Sequence, residues 1–344
     1  MKIVLASTFV PFINGGARFI VEWLEHKLLE HGHQVERFYL PFIETPDEML
    51  NQAAAFRLMK LSDCCDRLIA FRPPAYVIDH PAKVLWFIHH IRAYYDLWGG
   101  PHGAPDTVKN RAVRKALIRM DTRAIGEARK VFTNSQIVAD RLQRFNGIAA
   151  TPLYPPVFQP ERFRNDGYGD EIVVVCRVEP HKRQALLIEA MKHVRTPVRL
   201  RLCGTASHAD YGAEIRRLVD ASGAAGRIAF EDAWISEEEK VERLAPALAV
   251  AYLPHDEDSY GYPSLEGAHA GKCVLTTTDS GGVLELVEDG RNGLVSPPDP
   301  VALAGAMDRL YRDKALAERM GVANLARLAE MKIDWGHVVE ALTA

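Results

Sequence analysis

Short apolar runs alternate with segments of helical spacing along the first half of the chain. Residues 2–6 (KIVLA) form the first run, Gly15 and Gly16 follow, and residues 17–31 then carry apolar side chains three and four positions apart. This order of strand, glycine loop and helix is typical of the opening unit of a parallel α/β sheet. Further strands of the same domain are predicted at residues 67–71, 83–88 and 130–133.

The same pattern starts again after a segment rich in proline, glycine and charge at residues 151–170, which we interpret as a domain linker. A buried strand is predicted at 171–175 and a helix near 183–194. The remaining strands are predicted at 198–203, 227–230, 249–253 and 273–277. Two open sheets in tandem predict a cleft between two domains, with ligands bound at the carboxyl ends of the strands.

The bulk composition narrows the class of protein. The 344 residues are 48% hydrophobic and 25% charged, which is ordinary for a globular protein, and the net charge of -3 gives no general attraction to nucleic acid. The five cysteines have no CxxC spacing, so we expect neither a disulfide framework nor a zinc site. The opening run is too short for a signal peptide, and no stretch of about 18 apolar residues occurs, so we expect a cytoplasmic protein.

Two strand-end loops carry residues suited to binding phosphate. Gly15 and Gly16 precede a helix, where backbone N–H groups can approach an anion, although a tight turn explains the glycines equally well. Arg177 follows the strand at 171–175 and Lys182 precedes the next helix, so the two cations could clamp a diphosphate. A solvated surface pair is the alternative.

The segment DEDSYGYPSLEGAHAG at residues 256–271 carries the strongest chemical signal. A change from loop to helix near Pro263 would place Glu266 in the first helical turn, with the free N–H groups of 261–265 facing a phosphate. Asp258 and Glu266 could then bind sugar and ribose hydroxyls. Stabilisation of the helix dipole is the alternative for Glu266, and a metal-binding DxD at Asp256 and Asp258 is disfavoured by its place beside the glycine–proline loop.

These motifs together resemble the family 4 retaining glycosyltransferases, also called glycosyl transferases group 1, which have the two-domain GT-B fold. The family's E-x7-E motif matches the string from Asp258 to Gly267, and its diphosphate-binding arginine and lysine match Arg177 and Lys182. Its glycine loop matches Gly15 and Gly16, and its GG-x-x-E-x-V-x-D-G-x-N-G stretch matches residues 281–293. The match runs in order from residue 2 to about 298.

The resemblance implies an α/β fold of two facing Rossmann-like domains around a cleft. These would be an acceptor-side domain at 1–160, a donor-binding domain at 161–325 and a C-terminal helix at 326–344 that returns to the first domain. The tail itself predicts helix, break and helix, with Asp334 capping the second helix.

The activity implied is metal-independent transfer of a sugar, with retained configuration, from a UDP- or GDP-linked donor to a saccharide or lipid-linked acceptor. Arg177, Lys182, Asp258, Glu266 and His89 would serve the reaction. The implied donor-binding residues are Gly15, Gly16, Tyr260, Gly261, Tyr262, Pro263, Ser264 and Leu265. Rival interpretations are a nucleotide-sugar epimerase, a non-catalytic sugar-nucleotide-binding protein and a nicotinamide oxidoreductase, the last disfavoured by the missing GxGxxG.

Three positions depart from the family pattern. Asp258 is one methylene shorter than the usual glutamate, Arg18 stands where many members have glutamate, and Gly267 replaces the usual alanine. A glycine inside a helix costs about 0.5–1 kcal/mol relative to alanine unless close packing requires it.

One helical face of the first domain is unusually basic, because Arg111, Lys115, Arg119 and Arg123 recur every four residues. One hypothesis is that this face contacts an anionic membrane or a lipid-diphosphate acceptor. A solvated or ion-paired surface is the alternative. The expected location is therefore the cytoplasm, with peripheral contact at the inner face of the membrane.

Overall fold

The computed structural model describes residues 1–9 and 16–344, which divide into two compact units. The first unit contains Met1–Pro155 and Ile333–Ala344, and the second contains Pro156–Lys332. The sequence places the boundaries at 160 and 325 instead. The second of these lies inside one continuous helix, Lys314–Glu330, whose buried Asn324 donates to the carbonyl of Lys272 at 2.9 Å.

Each unit contains a six-stranded parallel sheet. The strands of the first unit are β1 (Lys2–Phe9), β2 (Gln34–Pro41), β3 (Arg67–Ala70), β4 (Lys83–Phe87), β5 (Lys130–Thr133) and β6 (Thr151–Pro152). Those of the second unit are β7 (Glu171–Val175), β8 (Arg199–Cys203), β9 (Ile228–Glu231), β10 (Ala249–Ala251), β11 (Val274–Thr277) and β12 (Gly293–Ser296).

Helices connect most consecutive strands, as parallel pairing favours, whereas β3 and β4 are joined by a segment with a single 3-10 turn at Ala75–Val77. Those of the first unit are α1 (Gly16–Glu30), α2 (Met49–Leu58), α3 (Val108–Gly126), α4 (Gln136–Asn146) and, at the end of the chain, α12 (Trp335–Thr343). Those of the second unit are α5 (Gln184–Met191), α6 (Ala209–Ala221), α7 (Glu237–Leu244), α8 (Tyr262–His269), α9 (Val283–Leu286), α10 (Pro300–Arg312) and α11 (Lys314–Glu330). Single 3-10 turns occur at Ala75–Val77, Arg92–Tyr94, Pro160–Arg162, Pro180–Lys182 and Ala225–Arg227.

The strand order in both sheets reverses at one point. The first sheet runs β2-β1-β3-β4-β5-β6, and the second runs β12-β11-β10-β7-β8-β9. In the second sheet the chain moves outward from β7 through β8 and β9, and then returns to β10 on the other side of β7. The loops after β7 and β10 therefore diverge at neighbouring strand ends, which is where open α/β sheets bind ligands.

The strands at the sheet centres are buried on both faces because helices cover both sides. Ile172, Val173 and Val174 of β7 and all three residues of β10 are buried. The sequence predicts these strands correctly but does not predict β2, β6 or β12, and β6 falls in the segment interpreted as a linker. β2 is an edge strand with mostly exposed residues such as Glu36 and Arg37, so it lacks the apolar run that identifies the others.

The terminal helix α12 folds with the first unit, as the resemblance implies. Asp334 caps it by accepting a hydrogen bond from the His337 N–H at 2.8 Å, which confirms the predicted cap. The guanidinium of Arg67 donates to the carbonyl oxygens of Leu342 and Ala344 at 2.8 and 3.1 Å, and these bonds satisfy acceptors that a helix end leaves unpaired.

Candidate functional site

The loops after β7 and β10 are joined through Lys182. Its ammonium donates to the hydroxyl of Tyr252 at 2.7 Å, forms an ion pair with Glu257 and lies 5.0 Å from the centroid of the Tyr252 ring. Tyr252 in turn donates its hydroxyl proton to Glu257 at 3.0 Å. The predicted cation at the end of β7 is therefore held against the β10 loop by a hydroxyl and a carboxylate.

Glu257 remains ionised in this setting although it is poorly hydrated. Burial raises its pKa, but the charge and hydrogen bond of Lys182, together with the Tyr252 hydroxyl, outweigh burial and leave the pKa below its ordinary value. The Lys182 charge is thus balanced by a carboxylate at the position where the sequence predicts a diphosphate.

Arg177, the second predicted cation, lies on the more open side of the same loop. Its guanidinium is 3.3 Å from the Glu179 carboxylate, and its side chain is 48% exposed. An exposed ion pair of this kind is weak, so the guanidinium can turn to an incoming anion at little cost.

Gly261 fixes the turn into α8 through both its backbone and its missing side chain. Its φ is +69°, and a Cβ there would lie 2.3 Å from Cε1 of Tyr252. The helix then begins at Tyr262 with Pro263 as its second residue, a position where the missing N–H is tolerated. Ser264 is buried and donates its hydroxyl proton to the carbonyl of Tyr260 at 2.8 Å.

Glu266 lies slightly further into the helix than the sequence predicts, because α8 begins at Tyr262 and not at Pro263 or Ser264. Glu266 is the fifth residue of the helix, so its carboxylate does not stabilise the helix dipole from the first turn. It forms instead an ion pair with Lys240 of α7 at 2.7 Å, in which the carboxylate side chain is 7% exposed and the lysine 13%. Burial raises the pKa of Glu266, and Lys240 opposes that increase.

Lys240 is a residue of the site that the sequence does not predict. It also binds Glu237 at 2.8 Å, and a capping box between Ser236 and Glu239 fixes the start of α7. The spacing of Ser236 and Glu239 is recognisable in the sequence as the start of a helix. No spacing connects Lys240 to Glu266, because their proximity arises from the packing of two helices.

The loop that carries Asp258 packs on the glycine pair of the matched 281–293 stretch. The Gly282 N–H donates to the carbonyl of Glu257 at 2.8 Å. A Cβ on Gly281 would lie 2.5 Å from that carbonyl oxygen, and one on Gly282 would lie 2.6 Å from the Ser259 Cα. The two glycines are therefore required by the close approach of two backbones. The predicted contact of Asp258 with a donor sugar stays a prediction.

Close packing also accounts for Gly267 in α8. A Cβ at this position would lie 2.9 Å from Cγ2 of Val250 in β10, which is closer than carbon atoms approach in a packed interior. The cost of glycine in the helix is therefore offset by the close contact between α8 and the sheet.

Arg183 connects the same strand ends, and no motif in the sequence predicts this role. It is a non-glycine residue in the left-handed region, with φ of +57°, between the 3-10 turn and α5. Its guanidinium donates to the carbonyls of Leu253 and Pro254 at 2.6 and 2.7 Å and binds both carboxylate oxygens of Asp279. One side chain thus joins the loops after β7, β10 and β11.

In the first unit, His89 lies just beyond β4 as predicted. Its Nδ1 is 2.7 Å from the carbonyl of His90, and burial lowers its pKa to about 4, so the imidazole is neutral at pH 7. His90 has a packing role, because it stacks on Tyr95 at 4.1 Å and bonds to Asn146 at 2.8 Å. The role of His89 near a donor sugar stays a prediction.

The glycine loop of the first unit falls partly on residues that the structure does not describe. Gly15 lies outside the described residues, and Gly16 is the first residue of α1. Arg18, which departs from the family pattern, forms an ion pair with Glu22 one turn later at 2.8 Å.

The described residues contain neither a candidate metal site nor a candidate membrane-spanning helix. Residues 1–9 and 16–344 contain no group of three or more His, Cys, Asp and Glu side chains arranged to hold a metal ion. Within the same ranges, no helix has the length and apolar character needed to cross a membrane.

Several known proteins are similar to this chain. Residues 169–313 match the family model described as Glycosyl transferases group 1. The human alpha-1,3/1,6-mannosyltransferase ALG2 is 24% identical over 293 residues, which cover 77% of this chain and 68% of that protein. Two other relatives are matched over about half of their own length, and four more over 40% or less.

Two solved structures share the fold over nearly the whole chain. Sucrose-phosphate synthase from Thermosynechococcus elongatus has a TM-score of 0.77 at 18% identity, covering 99% of this chain and 97% of that one. Alr3699/HepE from Anabaena in complex with UDP has a TM-score of 0.72 at 18% identity, covering 100% of both chains. The second unit of the chain is similar to the group 1 glycosyl transferases, whose family model it matches over residues 169–313.

Proposed function

We propose that this protein transfers a sugar, with retention of configuration and without a metal ion, from a nucleoside-diphosphate donor to an acceptor hydroxyl. The observation that carries the proposal is the meeting of Lys182 with the β10 loop at the point where the strand order reverses. Positive charge and the start of α8 occur there together, and both favour a bound diphosphate.

The leaving diphosphate sets the main chemical demand on the site. Negative charge develops on the phosphate oxygen as the glycosidic bond breaks, and fixed cations and N–H groups lower the energy of that state. Lys182 and Arg177 are the cations for this role. Because Glu257 holds Lys182 in the structure, the donor must draw the ammonium partly away from a carboxylate that is itself poorly hydrated.

The two carboxylates of the family motif have separate roles in this proposal. Glu266 binds the ribose hydroxyls, and Lys240 supports the ionised form that accepts those bonds. Asp258 binds a hydroxyl of the donor sugar. His89, neutral at pH 7, contributes as a hydrogen-bonding group, and the leaving phosphate oxygen accepts the proton of the acceptor hydroxyl.

The donor proposed is UDP- or GDP-linked. One structural neighbour was solved with UDP and another structure of the same protein with UDP-glucose, whereas one relative is named a GDP-mannose-dependent mannosyltransferase. The acceptor proposed is a saccharide or a lipid-linked saccharide. We also propose peripheral membrane contact through the exposed residues Arg111, Lys115, Arg119 and Arg123 of α3.

A transfer assay with labelled UDP- and GDP-sugars and a panel of saccharide and lipid-linked acceptors tests the reaction. We expect Lys182→Ala to lower kcat about 10²–10³-fold, as loss of one anion-stabilising donor typically does. Lys192→Ala is the matched control, because that lysine pairs with Glu189 on the surface of the same unit, and its activity should be unchanged.

The product of the same assay tests the finer claims. Nuclear magnetic resonance of the product should show the donor's anomeric configuration, and EDTA should leave the rate unchanged. Inversion would refute the retaining mechanism, and loss of activity with EDTA would refute metal independence. Interconversion of the donor sugar without any acceptor would identify an epimerase instead.

A further inference from the structure

A pocket of about 420 Å³ lies beside α3 in the first unit, and its lining includes no residue assigned to the donor. Arg111, Arg114, Lys115 and Arg119 line it from one side of the helix, and Trp98 and Ile118 supply its apolar surface. These helical positions are three and four residues apart, so they share one face. The neighbouring face, with Val113 and Leu117, is buried in the core of the unit.

The positive charge around this pocket is only partly balanced. Asp106 is the single acidic residue of the lining, and it is 3.3 Å from Arg111 with both side chains more than half exposed. Within the part of the chain that the structure describes, Lys115 and Arg119 have no carboxylate within ion-pair distance. The one acidic residue of α3, Asp121, is buried and bonded to the Tyr95 hydroxyl, so it does not face the pocket.

Arg114 differs from its neighbours because it is already oriented. Its Nε donates to the carbonyl of Tyr94 at 2.8 Å, and its guanidinium carbon lies 5.3 Å from the centre of the Trp98 ring. These contacts hold one face of the guanidinium against an aromatic ring and leave the terminal nitrogens for a ligand. A cation fixed in this way loses little side-chain entropy when it binds a phosphate.

We propose that this pocket binds a phosphate or diphosphate group, carried either by a lipid headgroup or by a soluble ligand. Unbalanced cations, one of them fixed in place, match the charge of the phosphate, and Trp98 and Ile118 match an apolar group attached to it. The further assignment of that phosphate to the acceptor rests on the proposed glycosyl transfer, whereas phosphate binding itself does not.

Binding of two probes to the full chain tests the pocket. Inorganic pyrophosphate is titrated by calorimetry, and vesicles of phosphatidylcholine with and without phosphatidic acid are used for co-sedimentation. The test variant is Lys115→Glu with Arg119→Glu. The control is Arg129→Glu with Lys130→Glu, an exposed pair in the same unit that changes the net charge equally.

We expect the test variant to bind at least one probe about 20-fold or more weakly than the control, because each basic residue near an anionic surface contributes roughly fivefold. Loss confined to vesicles containing phosphatidic acid assigns the pocket to a lipid headgroup, and loss confined to pyrophosphate assigns it to a soluble ligand. Equal binding by the two variants, or no binding of either probe by the native chain, would overturn the proposal. UDP and GDP binding should be unchanged in both variants, which separates failure of this proposal from failure of the donor site.

Discussion

Removal of Lys240 should destabilise the second unit far more than removal of an ordinary surface lysine. The Glu266 carboxylate is 7% exposed and Lys240 is 13% exposed, so Lys240→Ala leaves a buried charge without its partner. Breaking a buried ion pair from one side typically costs about 3–5 kcal/mol in the free energy of unfolding. For a unit of this size, each kcal/mol lowers Tm by about 2–4 °C, so we expect a decrease of roughly 6–20 °C.

The pH dependence of the stability loss distinguishes an unpaired Glu266 carboxylate from a general loss of packing. Burial already raises the pKa of Glu266, and loss of Lys240 raises it further because the ammonium no longer favours the ionised form. A carboxyl whose pKa is higher in the folded state binds more protons there, so its contribution to stability is lost as pH rises through the folded pKa. The deficit of Lys240→Ala should therefore be larger at pH 8 than at pH 5, by at least about 1 kcal/mol.

Urea unfolding of the full chain at both pH values, followed by tryptophan fluorescence, measures these differences. Lys192→Ala, which breaks an exposed pair with Glu189 at 2.7 Å, should cost about 1 kcal/mol or less at either pH. Adding Glu266→Gln to Lys240→Ala removes the buried charge and should recover about 2 kcal/mol at pH 8. A deficit for Lys240→Ala that equals the control, or that does not change with pH, would refute the reasoning.

Three further changes test other parts of the account. Gly261→Ala forces a Cβ to 2.3 Å from the Tyr252 ring at a φ of +69°. Urea unfolding should therefore show a loss of about 2 kcal/mol or more in the free energy of unfolding. Stability equal to that of the native chain would contradict the described conformation of this turn. Arg183→Ala should lower the free energy of unfolding by roughly 2–4 kcal/mol and weaken nucleotide binding, as measured by calorimetry. Arg183→Gly suits the left-handed backbone, so it should recover only the smaller part of this loss, which comes from backbone strain. Burial raises the pKa of Asp121 to about 6, so its contribution to stability is lost as pH rises from about 4 through 6. The free energy of unfolding of Asp121→Asn should therefore rise relative to that of the native chain by about 3 kcal/mol over that range. Parallel pH profiles of stability for the two proteins would exclude this.

Local patterns predicted most of the fold because the central strands are buried on both faces. Runs such as residues 172–175 are apolar throughout, and the structure places a strand at each predicted run. β2 was missed because an edge strand with charged residues has no such run. The predicted domain boundary at residue 325 falls inside α11, whereas the chain leaves the second unit after Lys332, beside the helix break that the sequence predicts before Asp334.

Local motifs predict some residues of the candidate site. Residues that come together from distant segments of the chain are not predicted by any local motif. Arg177 and Lys182 follow β7 and the string from Asp258 to Gly267 follows β10, so both motifs lie where the strand order of the second sheet reverses. Lys240 and Arg183 are 26 and 70 positions from the residues they hold, Glu266 and Leu253, and no local pattern encodes those contacts. The same limitation applies to Glu257, whose ion pair with Lys182 joins residues 75 positions apart.

The most direct test of the central claim is thermal unfolding of the native chain, Lys182→Ala and Lys192→Ala with UDP, GDP, ADP, CMP and NAD. A ligand at 100 times its Kd stabilises the folded state by about 2.7 kcal/mol, which raises Tm by roughly 5–10 °C for a unit of this size. The account predicts this increase with UDP or GDP for the native chain and Lys192→Ala, and its loss in Lys182→Ala. An increase with NAD alone, or an equal increase with UDP or GDP in Lys182→Ala, would contradict a nucleoside-diphosphate site at the ends of β7 and β10.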